Sequence, residues 1–376
     1  MGTRWGTSCH RAGRRARPNS SPSRVRDLSV YADGPSGRGM RVAVLAHDRF
    51  PDRAKTAVGV LRYADDDVIA VLDRATAGTT VADHVPDLAG DATPVVDRVA
   101  DAPDFDALVI GIAPIGGGFE EDWRPDVRAA IQRGADVVAG LHSFLAEDAE
   151  FAALAAEHGV DLRDVRKPPA DLGVAEGVAR DLDVEVVLTV GTDCSTGKMT
   201  TALELLEAAR EAGIDAGFVP TGQTGIMIAG WGVPIDRTVS DFTNGAVERM
   251  LKRRADDHDL LVVEGQGSIV HPAYSAVTCG ILHGAMPDHL VLCHEAGRAA
   301  VHGYDSFTLP APGRIADRYV ALAGAVAPTT LLGGALNTAH LDTEAAEAAI
   351  SEYERAIDAP AVDPVRDGAE TLVEQL

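Results

Sequence analysis

The sequence predicts an α/β protein built from two doubly wound parallel sheets in tandem. Three observations carry that prediction. Short apolar runs alternate with helical stretches in two separate series. A proline-marked polar stretch separates the two series, and a glycine-rich loop ending in lysine follows the first apolar run of the second. The length, 376 residues, suits two or three domains of about 150 residues each.

The first series begins at Met40. Arg41–Ala46 is an apolar run that ends in His47-Asp48, the form of a strand buried on both faces. Ala54–Tyr63 reads as helix, Val68–Leu72 and Ala107–Ile112 as strands, Arg124–Arg133 as helix and Ala135–Ala139 as a fourth strand. Gly116-Gly117-Gly118 follows the third strand, where the ligand loops of such sheets lie. No G-x-G-x-x-G follows the first strand, so dinucleotide binding has little support. Lys167–Asp183, with Pro168-Pro169, marks the boundary, which divides the chain into a leader (1–39), a first domain (40–170) and a second (171–376).

In the second series Val186–Val190, Ala216–Val219, Leu260–Val263, His289–Cys293 and Thr330–Leu332 are strand candidates. Thr200–Ala212 and Asp342–Ile357 are helix candidates. Between the first strand and helix lies Gly191-Thr192-Asp193-Cys194-Ser195-Thr196-Gly197-Lys198-Met199-Thr200-Thr201. A glycine turn that opens a helix presents backbone N–H groups and a positive potential to an anion, and Lys198 adds a point charge. Lysine occurs only four times, at 55, 167, 198 and 252, so its presence here is informative. The spacing departs from the common phosphate loop: five residues separate the glycines instead of four, and Met199 stands where a hydroxyl usually meets Mg²⁺. Thr200 or Thr201 is the available substitute.

A strand delivers Glu264 into Gly265-Gln266-Gly267, where its carboxylate suits either Mg²⁺ or the role of base toward an amine. The glycine-rich stretch from Pro220 to Gly245 reads as active-site loop with little helical pattern; it contributes Asp241, whose alternative role is N-cap of a helix over Gly245–Lys252. His271 follows the Glu264 turn and His294 the strand ending at Cys293, both where strands deliver loops to a ligand face; His271 and Arg298 are the candidates for function, and Arg298 suits a substrate carboxylate. No tight metal-ligand spacing occurs among the histidines or the four cysteines, so a zinc site is not expected.

Composition narrows the function classes. The 57 acidic residues against 34 Lys+Arg give a net charge of -23. The first 39 residues contribute +6 through eight arginines and two aspartates, so the remainder carries -29. Such acidity argues against binding to nucleic acid or to an anionic membrane, and no 18-residue apolar run exists. Asp outnumbers Glu 38 to 19, which suggests a halophilic cytoplasm where dense carboxylates maintain hydration. Cysteine usage agrees with a cytoplasmic location. The arginine-rich leader carries no signal pattern and is expected to be disordered, with Met40 as the natural start.

Two resemblances follow from these motifs. The G-T-D-x-x-x-G-K spelling resembles dethiobiotin synthetase and its P-loop relatives; that likeness implies Glu264 on Mg²⁺ and Asn337 near adenine. A closer resemblance spans nearly everything after Met40. Lys55-Thr56-Ala57, Gly140-Leu141-His142-Ser143-Phe144-Leu145, Asp164-Val165-Arg166-Lys167-Pro168-Pro169, Gly197-Lys198-Met199-Thr200-Thr201, Ser240-Asp241-Phe242, Glu264-Gly265-Gln266-Gly267-Ser268 and His271-Pro272 resemble the D-glutamate N-acetyltransferase-like family. That family pairs a Rossmann-like N-terminal domain with a P-loop C-terminal domain, and Met199 counts for it.

The resemblance implies direct acetyl transfer from acetyl-CoA to the amine of an acidic D-amino acid. Gly191, Thr192, Asp193, Ser195, Thr196, Gly197, Lys198, Thr200, Thr201 and Asn337 are then the cofactor-binding candidates. Glu264, Asp241 and His271 are the candidate bases, and Arg298, Arg166, Lys167 and Gln266 the candidate substrate contacts. The competing expectations are an ATP- and Mg²⁺-dependent ligase or kinase of a small carboxylate, with Glu264 as metal ligand, and a nucleotide-binding regulatory protein. Expected partners are small-molecule substrates, with a homo-oligomer compatible but not encoded visibly.

Overall fold

The computed structural model describes residues 39–88, 90–112 and 118–376. The arginine-rich leader and Gly116-Gly117 of the glycine run lie outside the described residues.

The first domain runs β1 (Arg41–Leu45), α1 (Lys55–Tyr63), β2 (Asp67–Leu72), β3 (Val95–Val96), β4 (Ala107–Ile110), α2 (Arg124–Gln132), β5 (Asp136–Ala139), α3 (Ala149–His158) and β6 (Leu162–Asp164). Its strands are parallel in the order β3-β2-β1-β4-β5-β6, the doubly wound Rossmann order with the switch point beside β1. Every residue of β4 is buried, and so are Val42–Leu45 of β1, as strands covered on both faces require. Trp123, Ile131 and Phe151 fill the space against this sheet.

The second domain runs β7 (Glu185–Gly191), α4 (Lys198–Glu211), β8 (Ala216–Val219), α5 (Gln223–Ala229), α6 (Thr243–Arg254), β9 (Leu260–Val263), α7 (Ser275–Ala285), β10 (His289–Glu295), the hairpin strands β11 (Ala300–Val301) and β12 (Tyr304–Thr308), α8 (Pro312–Ala323), β13 (Thr330–Asn337), α9 (Thr343–Ile357), β14 (Ala361–Val362) and α10 (Glu370–Val373). Its parallel order is β14-β13-β10-β7-β9-β8. Alternation along β7 builds two cores: Val186, Leu188 and Val190 face one layer, while Val187 faces the layer of α4 and α10. Strand β7 pairs with β10 on one side and β9 on the other, which puts the loop after Gly191 at the centre of the sheet's C-terminal edge.

The fold is therefore a Rossmann-like sheet followed by a P-loop sheet. Three expectations are corrected. Strand β13 runs on to Asn337, well past Leu332. The stretch from Pro220 to Gly245 is not all loop, because Gln223–Ala229 is helical. Gly225 obscures that helix in the sequence, yet a Cβ there would lie 2.5 Å from Glu264 Oε2. Helix α6 begins at Thr243 with no side-chain cap bond, so Asp241 does not act as an N-cap.

The domains meet where α1 packs on α5. Thr56 Oγ1 and Thr224 Oγ1 share a buried hydrogen bond of 2.8 Å, and Tyr63 donates to Glu204 at 2.7 Å. After β5, the chain passes so close to α5 that a Cβ on Gly140 would meet Gln223 Cγ at 2.8 Å.

Candidate active site

Strand β7 delivers Gly191 and α4 begins at Lys198. Between them Ser195 (φ 55°) and Gly197 (φ 91°) adopt left-handed backbone, which curls the loop over the helix N-terminus. Lys198 is buried, and its Nζ donates to the Asp193 carbonyl at 2.7 Å and to Thr196 Oγ1 at 3.4 Å. Burial pushes its pKa below the ordinary lysine value. A buried cation held, among the described residues, by its own loop is suited to accept an anion.

The loop's extra length is stabilised internally. The fully buried Asp193 carboxylate accepts the Cys194 N–H at 2.7 Å, the His302 N–H at 2.7 Å and Arg298 Nη1 at 3.3 Å. Arg298 also donates to the Cys194 carbonyl at 2.6 Å and pairs with Glu295. Its guanidinium is therefore fastened to the loop. Thr192 Oγ1 lies 2.8 Å from His294 Nδ1. Burial, then Arg298, pushes the His294 pKa down to about 4.

Asp193, Cys194 and His271 bring ligand-type atoms within 4.8 Å of one another. Arg298 occupies one oxygen of that Asp193 and Lys198 its carbonyl, so the charge there favours an anion over a divalent cation. The His271 ring accepts the Ala273 N–H at Nδ1 (3.1 Å), which places its proton on Nε2, toward the His302 carbonyl at 3.3 Å.

Glu264 follows β9 and is buried. Its Oε2 accepts the N–H groups of Thr221 and Gly222, each at 3.0 Å, and among the described residues no donor reaches Oε1. Burial raises its pKa, against the lowering effect of those two N–H groups and of Lys55. Gln266 supports the same segment, donating to the Thr221 carbonyl at 2.7 Å and its hydroxyl at 3.1 Å. Of the oxygens a Mg²⁺ would need, Met199 offers no hydroxyl, Thr201 is buried against Cys293 Sγ at 3.5 Å and Glu264 Oε2 is held by amides, which leaves Thr200 on the cavity wall and Glu264 Oε1.

A cavity of about 560 Å³ opens beside the loop. Thr196, Gly197, Thr200 and Thr201 form one wall, Asn337 and Arg366 another, and Arg62 of α1 closes it from the first domain. Its volume suits a nucleoside-sized group. Arg166 lies at the seam between the domains, next to Asp236 at 3.1 Å. Asp241 stands exposed in the turn before α6, with no hydrogen bond to a site residue among the described residues.

Sequence reasoning passed over two contributors. Lys55, at the start of α1, acts electrostatically on Glu264, Lys198 and Cys194 together, so the first domain adds a cation to the second domain's site. Its rarity as one of four lysines was the available signal. Thr221-Gly222 holds Glu264 through backbone amides, which no side-chain pattern advertises.

The profile described as "Domain of unknown function (DUF1611_N) Rossmann-like domain" matches residues 74–168, and "Domain of unknown function (DUF1611_C) P-loop domain" matches 173–373. A protein named D-glutamate N-acetyltransferase from Tritonibacter scottomollicae is 37% identical over 325 residues, 86% of this chain and 94% of the relative. One of the same name from a Pseudoalteromonas species is 37% identical over 270 residues, 72% of this chain and 80% of the relative. The crystal structure of a DUF1611 family protein from Anabaena variabilis superposes with a TM-score of 0.85 at 40% identity, over 90% of this chain and 99% of that one. Among the described residues no helix is long and apolar enough to cross a membrane.

Proposed function

Because this chain belongs to the DUF1611 family of paired Rossmann-like and P-loop domains, we propose that it is an N-acetyltransferase. The donor in this reading is acetyl-CoA and the acceptor is the amine of an acidic D-amino acid such as D-glutamate. One observation carries it: an anion cradle at Lys198 adjoins Glu264, whose carboxylate is anchored through one oxygen and open at the other, while Met199 stands where a Mg²⁺-binding hydroxyl usually is. Coenzyme A has a pyrophosphate that such a cradle binds without hydrolysing anything. The adjoining cavity, with Asn337 on its wall, suits the adenosine end.

The chemistry asks for a base and for oxyanion donors. The amine nitrogen forms a bond to the thioester carbonyl carbon, the C–S bond breaks, and CoA leaves as the thiol once it takes up a proton. Glu264 is the favoured base, because Oε2 is fixed by two amides while Oε1 is free to take the ammonium proton. His271 is the weaker candidate, since its Nδ1 lone pair already accepts a backbone N–H. ATP-dependent ligation is disfavoured by Met199 at the position of the usual Mg²⁺-binding hydroxyl.

The test incubates the protein at high salt with acetyl-CoA and a panel of D- and L-amino acids while free thiol is followed. A parallel reaction supplies ATP, Mg²⁺ and small carboxylates while ADP is followed. Amine-dependent thiol release is expected; ADP formation without thiol release would sink the reading.

A further inference from the structure

The seam between the domains carries a second cationic cluster, distinct from the P-loop. Arg166, just after β6, has a side chain only 10% exposed. Its Nη1 touches His142 Nε2 and lies 3.1 Å from Asp236 Oδ2, and its buried Nε has no hydrogen-bond partner among the described residues. From the second domain, Arg237 Nη1 comes within 3.4 Å of His142 Nδ1, and its guanidinium lies over the Phe144 ring at 4.9 Å. Two arginines and an imidazole thus share a single described acid, Asp236. Burial lowers the pKa of Arg166, with Arg237 adding to the effect and Asp236 opposing it. Burial and then Arg166 lower that of His142.

In a chain with 57 acids against 34 Lys+Arg, a buried guanidinium (Arg166) beside an exposed second one (Arg237), with Asp236 as their shared acid, reverses the prevailing pattern. An unpaired guanidinium N–H out of water is costly, and a carboxylate is the group whose geometry matches the guanidinium fork. The cluster also adjoins the proposed base. The Ile235 N–H donates to the Thr221 carbonyl at 3.0 Å, and Thr221 is the residue whose own N–H holds Glu264. Asp236 is next in the chain, and Gln223 packs against Gly140, two residues before His142.

We propose that Arg166, Arg237 and His142 form the subsite for a carboxylate of the acyl acceptor. The inference rests on the acetyl-transfer reading and makes each domain supply one guanidinium. An acidic amino acid would anchor a carboxylate at the seam with its amine toward Glu264. Acceptor binding would then also hold the two domains together.

The experiment compares D-glutamate with its uncharged amide, D-glutamine, as acceptors. Wild type is expected to favour the acid. Arg237→Gln should raise the KM for the acid about 10-fold to 100-fold and bring the acid/amide ratio close to one, as loss of a charge-assisted pair predicts. The KM for acetyl-CoA should not change, and Arg237→Lys should restore part of the preference. Arg166→Gln should act in the same direction; a melting curve checks that this buried substitution still folds, and Arg237 decides if it does not. A wild-type KM and acid/amide ratio in Arg237→Gln would overturn the subsite while leaving acetyl transfer intact. Failure of the wild type to release thiol with any amine would remove both readings.

Discussion

Replacing Lys198 with methionine separates a ligand-binding lysine from a structural one. In the free protein the ammonium is buried and held by one carbonyl and one hydroxyl of its own loop, with no carboxylate paired to it among the described residues. Burying a charge without an ionic partner is unfavourable, so an apolar side chain of similar length should leave the free protein as stable, or more stable by about 1–2 kcal/mol. For domains of this size that is a rise in Tm of about 2–4 °C per kcal/mol. Binding should move the other way. Loss of a charge-assisted contact to pyrophosphate, about 1.5–3 kcal/mol, weakens CoA about 10-fold to 100-fold. The sign of the pH effect follows from the lowered pKa. Between the depressed folded value and the unfolded value near 10.5, the unfolded state holds a proton that the folded state has released, so wild-type stability gains with rising pH. Lys198→Met should lack that gain. Calorimetric titration with CoA and melting curves across pH are the assays. Unchanged CoA affinity together with a lower Tm would refute the reasoning and make the amine a strut of the loop.

Three further outcomes are expected. Glu264→Gln should lower kcat by about 10²-fold or more with little change in KM for acetyl-CoA, and an unaltered kcat would remove Glu264 as the base. Gly265→Ala should destabilise by roughly 3 kcal/mol or prevent folding, because its Cβ would lie 1.7 Å from the Thr189 carbonyl; a wild-type melting temperature would contradict that packing. His294, with its pKa at about 4, should stay neutral where ordinary histidines protonate, so its contribution to stability falls as pH drops from about 6.5 toward 4. An NMR titration midpoint near the usual histidine value would exclude this.

The parallel strands were legible because burial on both faces leaves unbroken apolar runs, as in Leu260–Val263, where expectation and strand coincide. The phosphate loop was legible because its glycines and lysine are set by local backbone geometry. Legibility failed where long-range packing chooses the residue. Gly333-Gly334 reads as a strand stop, yet a Cβ at Gly334 would lie 2.5 Å from Tyr353 of α9, so glycine continues β13 by admitting a helix. The sequence singles out Arg298 as a partner for a substrate carboxylate, and only the fold shows Asp193, Cys194 and Glu295 around its guanidinium. Lys55 and Arg237 come to the site through the meeting of two domains, which no local pattern encodes.

The bonds around Asp193 bear on when the phosphate loop becomes ordered. Many anion loops are mobile until a ligand fixes them, and binding must then meet the entropy of ordering. Here Asp193 brings a carboxylate that draws in its neighbour's amide, a hairpin amide and Arg298, so the cradle is shaped as the chain folds. The ordering penalty falls on folding, and ligand affinity does not have to carry it. Loosening the His302 hairpin should therefore weaken CoA binding without altering any atom that faces the phosphate.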